Sequence, residues 1–597
     1  MNDVWKLVLN DEEIARLDRV DERGEHRYRV PAGAVRSGKN TLSFVPVTPT
    51  DDVTLGPIRL VRQSLEEHYD LQTVRVRVFD ADTGKRLPAR VTVLDANGER
   101  AEVFCEPSPK RAFRRGVAYT FEGDAEIVLA AGRYRLVATR GPEWGLAEAE
   151  VELAGRGAEV KLSIRREVDT TGWIAADTHI HTLTYSGHGD SSVEERMLTL
   201  AGEGVELAIS TDHNHNTDYR PVQSDLGHER WFTPVVGNEV TTDVGHFNGF
   251  PLDPDDDVPP YELTDYVQIV EGIRAKGAQV VILNHPRWPS HEDSPFGDHA
   301  LSHLTGERTP PLPLPVDAME LVNSTTDEPE PMLLFRDWFA LLNRGEEVWA
   351  VGSSDSHTVG DPVGGGRTLI PSRTDDPARI DVTAACKAIR EGRTTISMGP
   401  FVTVAVDGEA GPGDVHAVEA ESVEVALRVQ VPSWIRVERA QVFVDGLLAR
   451  EADIAAPAEG EPLDTTLRLR VPIPVHHDSW LVCVVAGPEV GPWYPLHNPY
   501  VLAATNPVRL DRDRDGWHAP RMEAQRLIGE ATDDAALREL FAAVDESVAL
   551  HAADLLARGG EDARVRLREA SGPRAETSPR LRRLLELLSE PHREDLP

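Results

Sequence analysis

The sequence predicts a multidomain protein: an α/β core flanked by β-sandwich modules, with a helical tail. Three observations predict it. Between residues 173 and 400 one unit recurs, a helical segment followed by a charged residue and Gly, an apolar strand, and then His or Asp. On either side of that region apolar residues alternate with period two, the mark of half-buried strands. From about Met522 onward Ala, Leu, Glu and Arg dominate.

At 597 residues the chain exceeds what one hydrophobic core supports, and about three to five domains are expected. Residues 1–69 read as a β-sandwich-like module of short strands, at Trp5–Leu9, 26–30 and 40–44. In 70–166, Val74-Arg-Val-Arg-Val78 alternates and Asn97-Gly98 is a hairpin turn. There Gly84-Lys-Arg-Leu-Pro-Ala-Arg-Val91 and Ala131-Gly-Arg-Tyr-Arg-Leu-Val137 resemble the carboxypeptidase-regulatory-like sandwich. Residues 167–400 hold the α/β units. Ser192-Val-Glu-Glu195 is a capping box that opens a helix, and Gly204, Gly277 and Gly345 stand where helices should end. Such units in series suggest a parallel barrel or open sheet, with functional residues at the carboxyl ends of the strands. Residues 401–510 return to alternation, as a third sandwich-like module. In the tail, 511–597, Gly559-Gly560 and Gly572-Pro573 should interrupt the helices, and 579–590 should form one more amphipathic helix.

A formal charge of −37 opposes nucleic acid and anionic membrane surfaces. No apolar run approaches the roughly 20 residues that span a bilayer, and the first residues show no leader; the expectation is a cytoplasmic protein or, as the alternative, an exported one whose leader precedes this start. Seven lysines stand against 56 arginines, which leaves few Schiff-base candidates. The three cysteines, 105, 386 and 483, match neither a disulfide framework nor a zinc-finger spacing. Cys483 reads as a small core residue.

Of the 21 histidines, 12 lie between 179 and 357. They fall in seven short stretches: Asp177-Thr-His179-Ile-His181, Ser186-Gly-His188-Gly-Asp190, Thr211-Asp-His213, Asn238-Glu239, Gly245-His246, Asn284-His285-Pro and Ser354-Asp355-Ser-His357. Residues i and i+2 of a strand share a face, so His179 projects with His181 and Asp355 with His357. One such pair means little, because a lone His is more often structural. Seven agreeing strand ends point to a multinuclear metal site. Imidazole with carboxylate suits Zn, Mn or Fe. Ser354-Asp-Ser-His357 is not read as a nucleophile triad, since its base and acid stand on one strand end. His215, His228, His291, His299 and His303 are read as loop residues.

The order Asp-x-His-x-His, Thr-Asp-His, Glu, Gly-His, Asn-His-Pro, Ser-Asp-Ser-His resembles the polymerase and histidinol phosphatase (PHP) domain. Gly245-His-Phe-Asn, Asn284-His-Pro-Arg and Gly392-Arg-Thr-Thr-Ile-Ser-Met-Gly-Pro-Phe401 look most like its carbaryl-hydrolase-like (CehA/McbA) metallohydrolases. The resemblance covers about 173–401 and implies a distorted TIM-like (β/α)7 barrel with two or three divalent metal ions at its mouth. It implies His179, His181, Glu239 and Asp355 on one ion, Glu239 bridging to a second with His246 and His285, and His213 with His357 on a third. This chain departs from the family pattern at Tyr185-Ser-Gly-His-Gly-Asp190. Asp190 is taken as the remaining ligand, with His188 as its rival.

Two cations sharing a carboxylate can bind a bridging water and aim hydroxide at an electrophile, so the expected activity is metal-dependent hydrolysis of a small ester. It is a phosphoester, as in much of the superfamily, or a carboxylic or carbamate ester, as the closer resemblance implies. Glu239 and Asp355 are the catalytic carboxylates. Arg287 is a substrate grip for phosphate or carboxylate or else a salt-bridge partner, with Arg367 a weaker candidate. An aryl carbamate would need an apolar wall, for which Trp288 and Phe296 are candidates. The Gly364-Gly-Gly366 run reads as a flexible turn. Asp511-Arg-Asp513-Arg-Asp515-Gly516 opens like a calcium loop but lacks its final Glu, so a linker turn is preferred. The other readings are a metal-containing binding protein for a polymer or surface and, third, a nuclease, which the charge opposes. The sequence sets no oligomeric state.

Overall fold

Alternation becomes sheet on both flanks. In Gln72–Asp80, Val74, Val76 and Val78 are buried while Thr73 and Arg75 face solvent. That strand pairs with Ala158–Ile164 and Asp124–Leu129, opposite a five-stranded sheet that contains Arg90–Leu94 and Gly132–Thr139. Val74, Val91, Val93, Leu136 and Ile164 fill the space between them. The computed structural model describes residues 5–17, 27–31, 33–46, 54–105, 108–326, 330–488, 490–491, 493–494, 500–559 and 561–589. Over these it is a mixed α/β protein in which strands outnumber helices.

The N-terminal module is a three-stranded sheet of Glu12–Arg16, Trp5–Leu9 and Leu42–Pro46. The strand expected at 26–30 does not form over 27–30, where Arg27 and Arg29 are held instead by side-chain bonds to Tyr69 and Glu66, and residue 26 lies outside the described residues.

Two sheets carry the α/β region. In one, Thr233–Val236, Leu207–Ser210 and Trp173–Ile180 run parallel, and Arg367–Pro371 and Thr395–Met398 add antiparallel. In the other, Asn238–Thr242, Gly245–Phe250, Val280–Leu283, Ala318–Asn323 and Trp349–Ser353 follow in chain order. Its last three strands are parallel, but the first two form an antiparallel hairpin. The reason is the two-residue connection Asp243-Val244, too short for a parallel crossover. Single bridges, Ile180 to Ser356 and His213 to Glu239, link the two sheets.

The helices follow the capping chemistry of the sequence. Ser192 and Glu195 make both bonds of a capping box on Val193–Glu203, and Gly204 ends that helix at φ 68°. Gly345 ends Pro331–Arg344 in the same way at φ 85°; only glycine takes that conformation freely.

The boundary drawn at 400 is not a break in hydrogen bonding. Thr395–Met398 pairs with Val501–Thr505, so the first sheet runs on into Ser479–Gly487 and Arg439–Val444 of the C-terminal sandwich. Phe401–Val406, Ser422–Val431 and Leu463–Pro472 form its other sheet. Val402, Leu427, Val442, Leu481 and Cys483 are buried between the two. Asp511 shapes a turn, its carboxylate accepting the N–H groups of Arg514 and Gly516.

The tail is a set of helices: Pro520–Glu530, Asp534–Ala543, Glu546–Ala557, Glu561–Thr577 and Pro579–Ser589. The break expected at Gly572-Pro573 does not occur, because the fourth helix runs through Pro573. Burial of Leu567, Ala570 and Ser571 outweighs the lost hydrogen bond. No helix among the described residues is long and apolar enough to cross a membrane.

Candidate metal centre

The strand ends of the two sheets bring the histidine and carboxylate stretches to one place. Asp177 sets the first of them. Buried, it accepts the N–H groups of His179 and Ser354 on one oxygen and that of Gly364 on the other. It therefore ties the first ligand strand to the last. Arg196 does the same one turn further out, donating to the carbonyls of His181 and Ser356.

Glu239 lies at the middle, with almost no exposure. His179 Nε2 is 3.1 Å from its Oε1, His246 Nδ1 3.1 Å and His285 Nε2 3.4 Å. His213 Nδ1 is 2.7 Å and His181 Nε2 3.5 Å from its Oε2. Asp355 Oδ1 is 3.3 Å from His179 Nε2 and 3.2 Å from His181 Nε2. Several of these spacings match the ligand-to-ligand edge of a tetrahedron with metal bonds of about 2.0–2.1 Å, which is about 3.3 Å.

The donor chemistry fits cations. His179 Nε2, His181 Nε2, His357 Nε2, Glu239 Oε2 and Asp355 Oδ1 are all buried without a hydrogen-bond partner. Buried polar atoms are seldom left so, and here five of them face one another. His179, His181 and Asp355 form one group with ligand atoms within 4.8 Å of one another. His179 with Glu239 and His285, His213 with Glu239 and His246, and His181 with His213 and His357 form three more. Each group could hold a metal ion.

Electrostatics divide the imidazoles. Burial would lower His179 and His285, but the carboxylates Glu239, Asp355 and Glu320 outweigh it and raise both, and Glu239 and Asp355 raise His213 in the same way. A cation there would have to displace a proton. Burial would raise the Glu239 carboxyl, but His213, His179 and His246 outweigh it and hold it well below the usual carboxylate range. Burial and the neighbouring imidazoles His357 and His213 push His181 well below its ordinary value. Burial, His188 and His213 do the same to His357. Neutral imidazoles with a free lone pair are what a cation takes. His285 and Asp355 have φ of 25° and 54°, the left-handed region, at about 1–3 kcal/mol each. The surrounding bonds hold that strain.

Glu320 escaped the sequence reading. Fully buried on Ala318–Asn323, it takes His179 Nδ1 at 2.7 Å and the Ser353 hydroxyl on Oε1, and the His285 N–H at 2.8 Å on Oε2. It fixes the His179 tautomer so that Nε2 faces Glu239. The signal was a lone Glu in the apolar run Ala318-Met-Glu-Leu-Val. Asn284 was quoted only as part of a motif; its amide donates to Glu239 Oε1 at 2.9 Å.

Five expectations are corrected: those for Asp190, Arg287, Phe296, Arg367 and the glycine run. Asp190 does not reach the cluster. Gly187 and Gly189 turn the chain at φ 79° and 81°, and a Cβ on Gly189 would strike His357. Asp190 is thereby rotated outward onto Arg114 at 2.9 Å and the Val359 N–H. His188 takes the inner side, its ring 4.5 Å from that of His357 and 4.8 Å from that of His213. Arg287 is not a free grip: its guanidinium forks onto buried Asp337 at 2.8 and 2.9 Å. Phe296 is fully buried in the core and cannot wall a substrate. Arg367 is buried too, bonded to the Gly364 and Glu203 carbonyls. The glycine run is a close contact and not a flexible turn, since a Cβ on Gly366 would strike the Ser353 carbonyl. Among the histidines read as loop residues, His228 is buried and stacks on Phe121 at 5.2 Å.

Trp288 does flank the centre. It is 42% exposed, with its ring 5.1 Å from that of His285 and 6.0 Å from that of His246.

No protein-family model matches this chain, and no curated protein matches it.

Proposed function

We propose that this protein is a metal-dependent hydrolase of small uncharged esters, carboxylic or carbamate, with two or three divalent ions (Zn, Mn or Fe) at the centre. The observation that carries the reading is the set of five buried donor atoms that face one another without partners. The ligand order, which resembles the PHP domain and its carbaryl-hydrolase-like members, supports it. On the same reading, the two bridged sheets are the halves of a distorted (β/α)7 barrel.

Glu239, His179, His181, His246, His285 and Asp355 would hold two ions, and His213, His357 and His188 a third. Bound ions of this kind supply an activated water and stabilise charge on the substrate oxygen. The chain's own residues do the rest. Glu320 and Asp177 keep the ligand strands in register, and Asn284 holds the Glu239 carboxylate in place. Trp288 offers an apolar face beside His285 and His246 for an aryl or alkyl group.

An uncharged ester is preferred to a phosphomonoester for one reason. The bound ions could themselves neutralise phosphate oxygens, but no arginine is there to share that task, since Arg287, Arg367 and Arg114 are committed to protein partners, whereas the part-exposed Trp288 offers an apolar face. The test is to assay the metal-loaded chain on a naphthyl carbamate, an aryl carboxylic ester, and aryl phosphate mono- and diesters. Chelator-sensitive turnover of the first two, well above the phosphates, is the expected result. Turnover confined to phosphates would reverse the substrate choice. No metal-dependent turnover of any substrate, with fewer than one ion per chain, would leave a binding protein as the better reading.

A further inference from the structure

A second cluster lies away from the centre, where the C-terminal sandwich, the helix Pro331–Arg344 and the helical tail meet. Asp445 sits in the turn between Arg439–Val444 and Leu447–Asp453, at φ 49°. His477 precedes Ser479–Gly487, and Asp545 caps the helix Glu546–Ala557. Their ligand atoms lie within 4.8 Å of one another, with His477 Nε2 3.3 Å from Asp545 Oδ1. Asp445 is fully buried and His477 is 4% exposed.

The hydrogen bonds leave two buried atoms of this cluster, Asp445 Oδ2 and His477 Nε2, without a partner. His477 Nδ1 is 2.6 Å from the Asp478 carbonyl. A carbonyl only accepts, so Nδ1 carries a hydrogen and Nε2 faces the carboxylates, with a lone pair in the neutral ring or an N–H in the imidazolium. Asp445 Oδ1 accepts the Trp480 N–H at 2.9 Å, and its backbone carbonyl accepts the Asn343 amide. Asp545 Oδ1 accepts the Val548 N–H at 3.0 Å and the Ser547 hydroxyl at 2.7 Å. Among the described residues no lysine or arginine forms an ion pair with Asp445 or Asp545. A fully buried carboxylate beside a half-buried one is strongly unfavourable unless a cation or a proton lies between them.

We propose that Asp445, His477 and Asp545 bind a divalent cation, Zn²⁺ or Mn²⁺, that fastens the helical tail to the C-terminal sandwich. One imidazole and two carboxylates without a cysteine suit those ions. The 3.3 Å contact matches the ligand edge of a tetrahedral site. The ligands come from a hairpin turn, a strand entry and a helix N-terminus, so the ion would cross-link three elements far apart in sequence. The competing resident is a proton. Burial and the Asp545 charge drive the Asp445 carboxyl well above the ordinary carboxylate range, and a proton shared with His477 would also relieve the charge.

The test uses the full chain, stripped with chelator and dialysed against Zn²⁺ and, separately, Mn²⁺. Total ions per chain are then counted for the wild type, Asp445→Asn, His477→Gln and Glu239→Gln. Asp445→Asn and His477→Gln should each lose about one ion with the central ligands untouched, and their melting should lose the metal-dependent part of its midpoint. Glu239→Gln should lose ions without changing that part. An anomalous-difference map of the wild type, which needs no variant to fold, should show a peak about 2.0–2.2 Å from His477 Nε2 and an Asp445 oxygen. Wild-type ion counts in both Asp445→Asn and His477→Gln, or no peak at the triad in Zn²⁺-loaded protein, would assign the triad to a shared proton and overturn the proposal. The outcome is independent of whether the central site hydrolyses esters.

Discussion

Two regions of this molecule bury dense polar clusters, and they are put together in opposite ways. Between the sandwich of residues 70–166 and the helix Val193–Glu203, Arg90 and Glu203 are fully buried at 3.3 Å. The hydroxyls of Tyr119 and Tyr494 donate to the two Glu203 oxygens at 2.6 and 3.0 Å. Arg90 also donates to the Gly360 carbonyl at 2.9 Å. Every carboxylate oxygen there meets a donor. At the candidate metal centre, five buried atoms, Glu239 Oε2 and Asp355 Oδ1 among them, have no hydrogen-bond partner. Buried charge alone therefore does not mark a site; buried polar atoms that share a space without a partner do.

Breaking each region should have a different signature. The largest effect is expected from Glu239→Gln, which removes the central carboxylate. Chelator-sensitive hydrolysis should fall by about 10³-fold or more, the equivalent of several kcal/mol of metal-ion stabilisation, while the melting midpoint of the metal-free chain barely moves. Arg90→Ala should behave in reverse. It leaves Glu203 buried without its cation, so denaturation should lose about 3–5 kcal/mol of stability, with the ion count unchanged. Unaltered stability there would refute the structural role of that layer.

Glu320→Gln probes a residue that touches His179 and no reacting group. Chelator competition should show metal affinity weakened about 10–100-fold, and turnover at saturating metal should recover most of the loss. A fall in turnover that added metal cannot restore would move Glu320 into the chemistry itself.

A carboxyl outside both clusters gives a pH signature: Glu206, just beyond the helix Val193–Glu203, accepts the Ala175 N–H. Burial and the Glu143 charge raise the Glu206 carboxyl from 4.5 to about 7. Between those values folding takes up a proton, so this contribution is complete below the unfolded value and is lost as pH rises through about 7. Wild-type stability should fall from roughly pH 5 to pH 8, and Glu206→Gln should flatten that slope. The smallest effect belongs to Asp190→Asn. That carboxylate pairs with a part-exposed arginine outside the cluster, so stability should change by no more than about 1 kcal/mol and the ion count not at all. Loss of an ion would restore Asp190 as a ligand.

These contrasts also explain what the sequence revealed. Strand-end His and Asp are legible because side chains project with a fixed period, and the pairs 179/181 and 355/357 needed nothing more. The sandwiches were legible from alternation, and the capping box at Ser192 from its residue types. The stretch 186–190 was not, because which side chain turns inward depends on Gly187 and Gly189 adopting positive φ against His357, a tertiary contact. Arg287 was misread as a grip because its partner, Asp337, lies fifty residues on. Glu320 was missed because a lone carboxylate in an apolar strand has no period to betray it. The sheet that crosses residue 400 was invisible for a related reason: strand pairing is long-range, and composition shifts only where the layer architecture changes.

The central claim is that the facing polar atoms of Glu239, Asp355 and the surrounding histidines exist to hold cations. The most direct measurement is an anomalous-difference map of the crystallised wild-type chain, collected at the absorption edge of the metal it carries from purification. The account predicts at least two peaks, one among His179, His181, Glu239 and Asp355 and one among Glu239, His246 and His285. Well-ordered side chains with no peak among them would contradict it.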